Sequence, residues 1–191
     1  MLTRSLMMIA ALAGLAGCSD PEKTGRYVIE TPVLSKTLPN RIGSAELREV
    51  SLPQYAAGQE IAWQTPDGAL RSTPENIWAD DPPRAVTLAL ARQISDLSGA
   101  RVIAEPWPLA ELPSRRIEVR VEQFLARADG TVVLSGSYYV AAADLGGGRD
   151  QVGRFDLSVP ISADRADDPA AIARAQSEAL ARLAAQIAQL E

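Results

Sequence analysis

The most constraining feature of this chain is a succession of three period-two patterns between residues 115 and 161. Ile117, Val119 and Val121 alternate with Glu118, Arg120 and Glu122. After Asp129-Gly130 the pattern resumes in Leu134, Gly136, Tyr138 and Val140, and after the glycine turn Leu145-Gly146-Gly147-Gly148-Arg149 it returns in Phe155, Leu157, Val159 and Ile161. Successive side chains of a strand point to opposite faces, so each run predicts a strand with one buried and one wet face. Three such strands joined by short turns form an antiparallel meander whose apolar face must be covered.

Two segments have the period to cover it. Asp80-Asp81-Pro82-Pro83 opens a helix over 82–98, with Asp81 as N-cap and proline in the first turn, where the missing N–H costs nothing. Val86, Leu90, Ile94 and Leu97 share one face, and Gly99 ends it. Asp167-Asp168-Pro169 opens a second helix over 168–190, with Ile172, Ala175, Ala179, Leu183, Ile187 and Leu190 as its buried stripe. Elsewhere, Arg26–Leu34 reads as an edge strand weakened by Pro32, Ile42–Val50 as a strand, and Arg101–Ala104 as a short strand. Glu60–Gln64 and Ala69–Ser72 read as a hairpin around Pro66-Asp67-Gly68. The expected fold is α+β: an antiparallel-dominated sheet with two amphipathic helices packed on one face.

The N-terminus speaks to location. Arg4 precedes an apolar stretch, Leu6–Ala16, that is shorter than the ~20 residues a bilayer span requires. It ends in Leu15-Ala16-Gly17-Cys18, an apolar residue and two small ones before a cysteine, which is a lipobox. The expectation is a signal peptide over 1–17, lipidation of Cys18, a lipidated tether over 18–25 and one domain over 26–191. Several acyl chains, at ~0.8 kcal/mol per buried CH₂, make a stable anchor. An Asp directly after the cysteine would resemble an inner-membrane retention signal. Here Ser19 stands there, with the Asp one place later at Asp20, so Ser19 is the sorting residue and points to the outer membrane.

Composition narrows the chemistry. The chain has no histidine and one cysteine among 191 residues, which excludes His-based triads, intrachain disulfides and cysteine-built metal clusters. The net charge of −5 is a poor match to nucleic-acid phosphates. Gly146-Gly147-Gly148 lacks the Lys-Ser/Thr of a phosphate loop and is read as a hairpin turn. The pairs Asp80-Asp81 and Asp167-Asp168 each precede proline and a helical pattern, so capping outweighs metal binding. Glu118 and Glu122 flank Arg120 and are read as a solvated strand face. No catalytic residue, metal ligand or cofactor is expected. Tyr55, Trp63, Trp78 and Trp107 lie in loops or at element ends, either as core plugs or as a partner surface.

The order of these features resembles the ABC-type transport auxiliary lipoproteins, the PqiC-type partners of MCE-protein lipid transport systems. The matching residues are the lipobox, Tyr27-Val28-Ile29, Val50-Ser51-Leu52-Pro53-Gln54-Tyr55 and Asn76-Ile77-Trp78-Ala79. Glu105-Pro106-Trp107-Pro108, and Val119-Arg120-Val121-Glu122-Gln123-Phe124 followed by Asp129-Gly130, complete the match. The resemblance implies a non-enzymatic, lipid-anchored, periplasm-facing subunit at the outer membrane. It would help an MCE-domain protein, a permease and an ATPase move phospholipids or other hydrophobic molecules between membranes. Oligomer formation is compatible with it. Leu52, Pro53, Tyr55 and Trp78 are the expected contacts with the MCE partner, because stiff loops carrying aromatics lose little entropy on docking. A lipid-binding or structural envelope lipoprotein that scaffolds another periplasmic complex is the alternative.

Overall fold

In the computed structural model, which describes residues 23–32, 37–143, 149–161 and 163–189, the chain runs through the following elements. They are β1 (Gly25–Tyr27), β2 (Ser44–Leu47), α1 (Gln54–Ala57), β3 (Trp63–Gln64), β4 (Leu70–Arg71), β5 (Asn76–Trp78), α2 (Pro82–Ser98), β6 (Arg101–Ala104), β7 (Arg115–Arg127), β8 (Thr131–Ala142), β9 (Gln151–Pro160) and α3 (Pro169–Ala188), with a 3₁₀ turn at Ala163–Arg165 before α3. The lipobox with Cys18 and Ser19, the end of the Arg26–Leu34 run, the triple glycine 146–148 and Leu190 lie outside the described residues.

The meander forms as its alternation predicts. β7 pairs antiparallel with β8, and β8 with β9, along nearly their whole length, setting Ile117 against Val140 and Leu134 against Leu157. The alternation of β7 is interrupted once. Val121 pairs with Gly136 and Gln123 with Ser135, leaving Glu122 as the extra residue of a β-bulge. The bulge shifts the pattern by one place, so Phe124 and Ala126, not Gln123 and Leu125, continue the buried face of Ile117, Val119 and Val121.

Two glycines on that face hold space for aromatic rings. Gly136 lies opposite Phe155, and Gly153 opposite Tyr138. A Cβ on Gly136 would sit 2.1 Å from the Arg120 carbonyl oxygen and 2.8 Å from the Phe155 ring. One on Gly153 would meet the Tyr138 ring at 2.1 Å. Small and large residues thus alternate across the strands and let the helices approach closely.

The sheet as a whole is mixed, which corrects the expectation of an antiparallel-dominated one. Among the described residues, four strand pairings are parallel: β1 with β5, β2 with β6, β2 with β7, and β3 with β7. Three are antiparallel: β3 with β4, β7 with β8, and β8 with β9. The cause is connectivity. α2 lies between β2 and β6 as a crossover, and a helical crossover returns the chain parallel to the strand it left. The following loop then passes β2, where the Trp107 N–H donates to Glu46 Oε1 at 2.9 Å, and delivers β7 parallel to β2 on its other side. Alternation reports which face a side chain occupies, not which way its neighbour runs.

α2 and α3 pack against each other and against the sheet, with Val86, Leu90, Ile94, Ile172, Leu180 and Leu183 in one core with the meander's buried face. Both expected caps form. Asp81 accepts from the Arg84 N–H at 3.3 Å, and Asp168 from the Ala170 N–H at 2.9 Å. Gly99 takes φ 67°, a left-handed conformation that glycine adopts without the Cβ penalty. α3 buries a wider face than the expected stripe, with Ala173, Gln176, Leu180, Ala181 and Ala184 among the added positions, because its small alanines allow contact on a wide arc. The expected strand over 42–50 is paired as a strand only at Ser44–Leu47. Further along, Ser51 bridges to Arg120, and the Val50 N–H turns away to the Thr87 hydroxyl on α2.

Candidate functional site

The first half of the chain folds into short pieces fitted around the meander, and its surface carries several concavities, two of them beside residues singled out in sequence. The expected edge strand over 26–34 is ladder-paired only at Gly25–Tyr27, where β1 lies parallel to β5 in a separate two-stranded sheet. Val28 to Thr31 then run extended beside α2, with the Glu30 N–H donating to the Ser177 hydroxyl of α3 at 2.9 Å. The pairing of β1 stops where its partner β5 stops, at Trp78 opposite Tyr27.

The residues singled out in sequence meet at this end of the molecule. Pro53 leads into α1, whose Tyr55 hydroxyl accepts from the Phe124 N–H at 3.2 Å. That N–H lies just past the β7 bulge, so Tyr55 satisfies a backbone donor at an interrupted stretch of ladder. Leu52 is half-buried against the core. The chain after α1 then joins β5: the Trp78 N–H donates to Gln59 at 2.8 Å, and Ile61 to Asn76 at 3.0 Å. The loop of Leu52, Pro53 and Tyr55 and the segment of Trp78 are therefore bound into one unit by main-chain hydrogen bonds. Their side chains part: Trp78 is 5% exposed and belongs to the core cluster.

One concavity, about 430 Å³, lies between α1 and the β3–β4 hairpin, and Tyr55, Gly58, Glu60, Leu70 and Arg71 line it. The hairpin turn is held by Asp67, which accepts from the Thr65 hydroxyl at 2.5 Å. That hydrogen bond, with the backbone at Ala69, keeps the Asp67 carboxyl below its ordinary pKa. The other concavity, about 570 Å³, is walled by Val28, Ile29, Trp78, Ala85, Leu88 and Ala89. Its rim carries Glu30, Asp80 and Arg92. Val28 is 60% exposed and Leu88 45%, so two large apolar side chains face this groove uncovered.

The acidic pairs have other partners. Asp80 is ion-paired with Arg84, and Asp81 caps α2. Asp168 is hydrogen-bonded by Arg165, which together with the backbone N–H groups of the α3 terminus holds its carboxyl below the usual range. Glu118 binds Arg120 at 2.6 Å, and the Arg120 guanidinium lies 5.0 Å above the Tyr139 ring. Glu122, the extra residue of the bulge, is exposed like Arg120, as the reading of a solvated face expects. Among the described residues, no three Cys, Asp or Glu residues are grouped to hold a metal ion.

Leu88 was not singled out from the sequence, and Val28 only as part of the Tyr27-Val28-Ile29 match, not as a groove residue. Leu88 had a readable signal: it falls four residues after Arg84 and four before Arg92, an apolar side chain in the middle of the polar stripe of α2. Val28 had none, because an apolar residue in a strand-like run is ordinary.

Apolar walls with exposed charged residues beside them make a lining of the kind found in binding sites. Comparison with known proteins names the family. The chain belongs to the ABC-type transport auxiliary lipoprotein component family, whose model matches residues 27–188. It is 30% identical over 138 residues to the intermembrane transport lipoprotein PqiC of Escherichia coli (strain K12), covering 70% of this chain and 71% of that one. The PqiC of Shigella flexneri matches equally. Two solved structures share the fold, each with a TM-score of 0.64. Protein XCC0632 from Xanthomonas campestris is 16% identical and aligns over 87% of this chain and 93% of its own. An uncharacterized protein is 23% identical over 80% and 94%.

Proposed function

We propose that this chain is a non-enzymatic lipoprotein subunit of an intermembrane lipid transport system. It is held by acyl chains on Cys18 at the outer membrane, faces the periplasm, and works with an MCE-domain protein of an ABC-type transporter. The observation that carries the reading is the family match over 27–188, preceded in the same chain by the lipobox ending at Cys18. The name of the E. coli relative, an intermembrane transport lipoprotein, supports the same role. In this reading the tether over 18–25 joins β1 directly to the anchor, and Ser19 directs the protein outward. Leu52 and Pro53, leading into α1, and Tyr55, on the wall of the cleft beside β3 and β4, meet the MCE partner, with Trp78 as the buried prop behind them.

Two measurements test it. Cys18→Ser is expected to abolish incorporation of a fatty-acid probe and release the protein from membranes, while Ser19→Asp moves it to the inner membrane. Affinity capture of the wild-type protein from membranes solubilised in mild detergent is expected to recover an MCE-domain protein. Recovery of other envelope proteins without it would replace the transport reading by a scaffolding one.

A further inference from the structure

The groove beside β1 has features that the family assignment does not explain. Its walls are apolar, yet two of its large side chains, Val28 and Leu88, remain exposed. Exposed large apolar side chains gathered around one concavity mark a place where something binds. The groove volume of about 570 Å³ is in the range of small-molecule sites. The charges on its rim are of both signs. Asp80 is taken up by Arg84. Glu30 has no ion-pair partner among the described residues, and Arg92 reaches only a loose, exposed contact with Asp96 at 3.7 Å. A ligand with an apolar tail and a head bearing one positive and one negative charge is complementary to this pattern.

Position adds a second argument. The groove lies beside β1 and takes in Tyr27 and Val28, and six residues lie between Cys18 and Gly25. The seven Cα–Cα steps from Cys18 to Gly25 span at most about 25 Å. If Cys18 carries the anchor, the start of β1 is held within that reach of a bilayer with the groove next to it, and the lipids there are at high effective concentration.

We infer that this groove binds one zwitterionic membrane phospholipid. An acyl chain lies along Val28, Ile29, Leu88 and Trp78, the phosphate faces Arg92, and the cationic head faces Glu30. The inference rests on the lipid-transport reading and deepens it: the auxiliary subunit is itself a lipid-binding site next to the membrane.

The test uses the full chain in cells labelled with radiophosphate. The photoreactive residue p-benzoylphenylalanine replaces Leu88 in one strain, Arg26 in a second and Val152, exposed on β9, in a third. After irradiation and purification, the Leu88 probe is expected to yield a radiolabelled, phospholipase-sensitive adduct. Neither the Arg26 nor the Val152 probe should do so. Val28→Glu or Arg92→Glu, combined with the Leu88 probe, is expected to lose the adduct while the protein keeps its melting temperature. Equal labelling of the Arg26 probe, which is nearer the anchor, would mean a bilayer brushing the surface and overturns the proposal. A protein adduct at Leu88 would make the groove a peptide site and overturns it too, as does the absence of any adduct from folded protein. Capture of the MCE-domain partner is measured on the same strains. If partner capture persists without lipid labelling, the groove proposal falls and the transport reading stands.

Discussion

The two halves of the molecule are built on different principles. From β7 to α3, strands of 10 to 13 residues pair along their length, and a 20-residue helix covers them. From β1 to β5, no strand exceeds four residues, and most pairings are parallel ones to distant partners. The first design supplies apolar burial and cooperative ladders. The second supplies concavity: the groove beside β1 is lined by residues of the first half together with α2, and the cleft beside α1 by residues of the first half. Long ladders and surface concavity are thus assigned to separate stretches of one chain, and the bulge at Glu122, where Tyr55 meets Phe124, is a seam between them.

The division can be broken most severely at Gly136. Gly136→Ala would push a Cβ against the Arg120 carbonyl, with backbone rather than a flexible side chain in the way. Overpacking of this kind is expected to cost about 3 kcal/mol or more, and chemical denaturation should show either that loss or no folded protein. Next comes a matched pair of leucines. Leu180→Ala in the buried face of α3 is expected to cost about 2–5 kcal/mol. Leu88→Ala, on the groove, should change stability by no more than about 0.5 kcal/mol. If the two cost the same, the groove is a structural part of the core and the division fails.

Smaller effects sharpen the picture. Asp168→Ala removes the α3 cap and is expected to cost about 1 kcal/mol at neutral pH. The Asp168 carboxyl is held below its ordinary pKa in the folded protein, chiefly by Arg165. Its contribution is therefore complete above the ordinary carboxylate range and is lost as pH falls through the lowered value. Denaturation from pH 7 downward should show wild type and variant converging in acid. The smallest effect belongs to the seam: Tyr55→Phe deletes the acceptor for the Phe124 N–H and is expected to cost about 0.5–1.5 kcal/mol. A larger loss would show that the halves depend on each other more than their separate designs imply.

The same contrast explains what could be read without coordinates. Alternation over ten residues, a helical stripe and an Asp-Pro cap are local signals. They located β8, α2 and α3 within a residue or two, and β7 and β9 by their alternating cores, although β7 runs on to Arg127 and β9 begins at Gln151. The β-strand at Asn76–Trp78 was not anticipated, because three residues carry no period and its partners, β1 and the chain near Glu60, come from elsewhere. Strand direction was missed for a related reason: it is set by the α2 crossover, not by any residue in the strands. At the candidate site, sequence singled out Tyr55 and Trp78 as aromatics at element ends. It gave no sign that the Tyr55 hydroxyl would serve the β7 backbone. That contact depends on a bulge, and a bulge leaves only a slipped alternation between Val121 and Phe124.

The parallel pairing of β1 with β5 has a mechanical consequence. Any pull on the residues before Gly25 reaches the domain first through three residue pairs, Gly25 with Asn76, Arg26 with Ile77 and Tyr27 with Trp78. Tension directed along the strand loads those hydrogen bonds together as a shear clamp, whereas tension at right angles opens them singly, as a zip. Behind the clamp, Trp78 is seated in the core, and the Glu30 link to Ser177 ties the same stretch to α3. The strength with which this domain resists being dragged therefore depends on its orientation above whatever surface holds it.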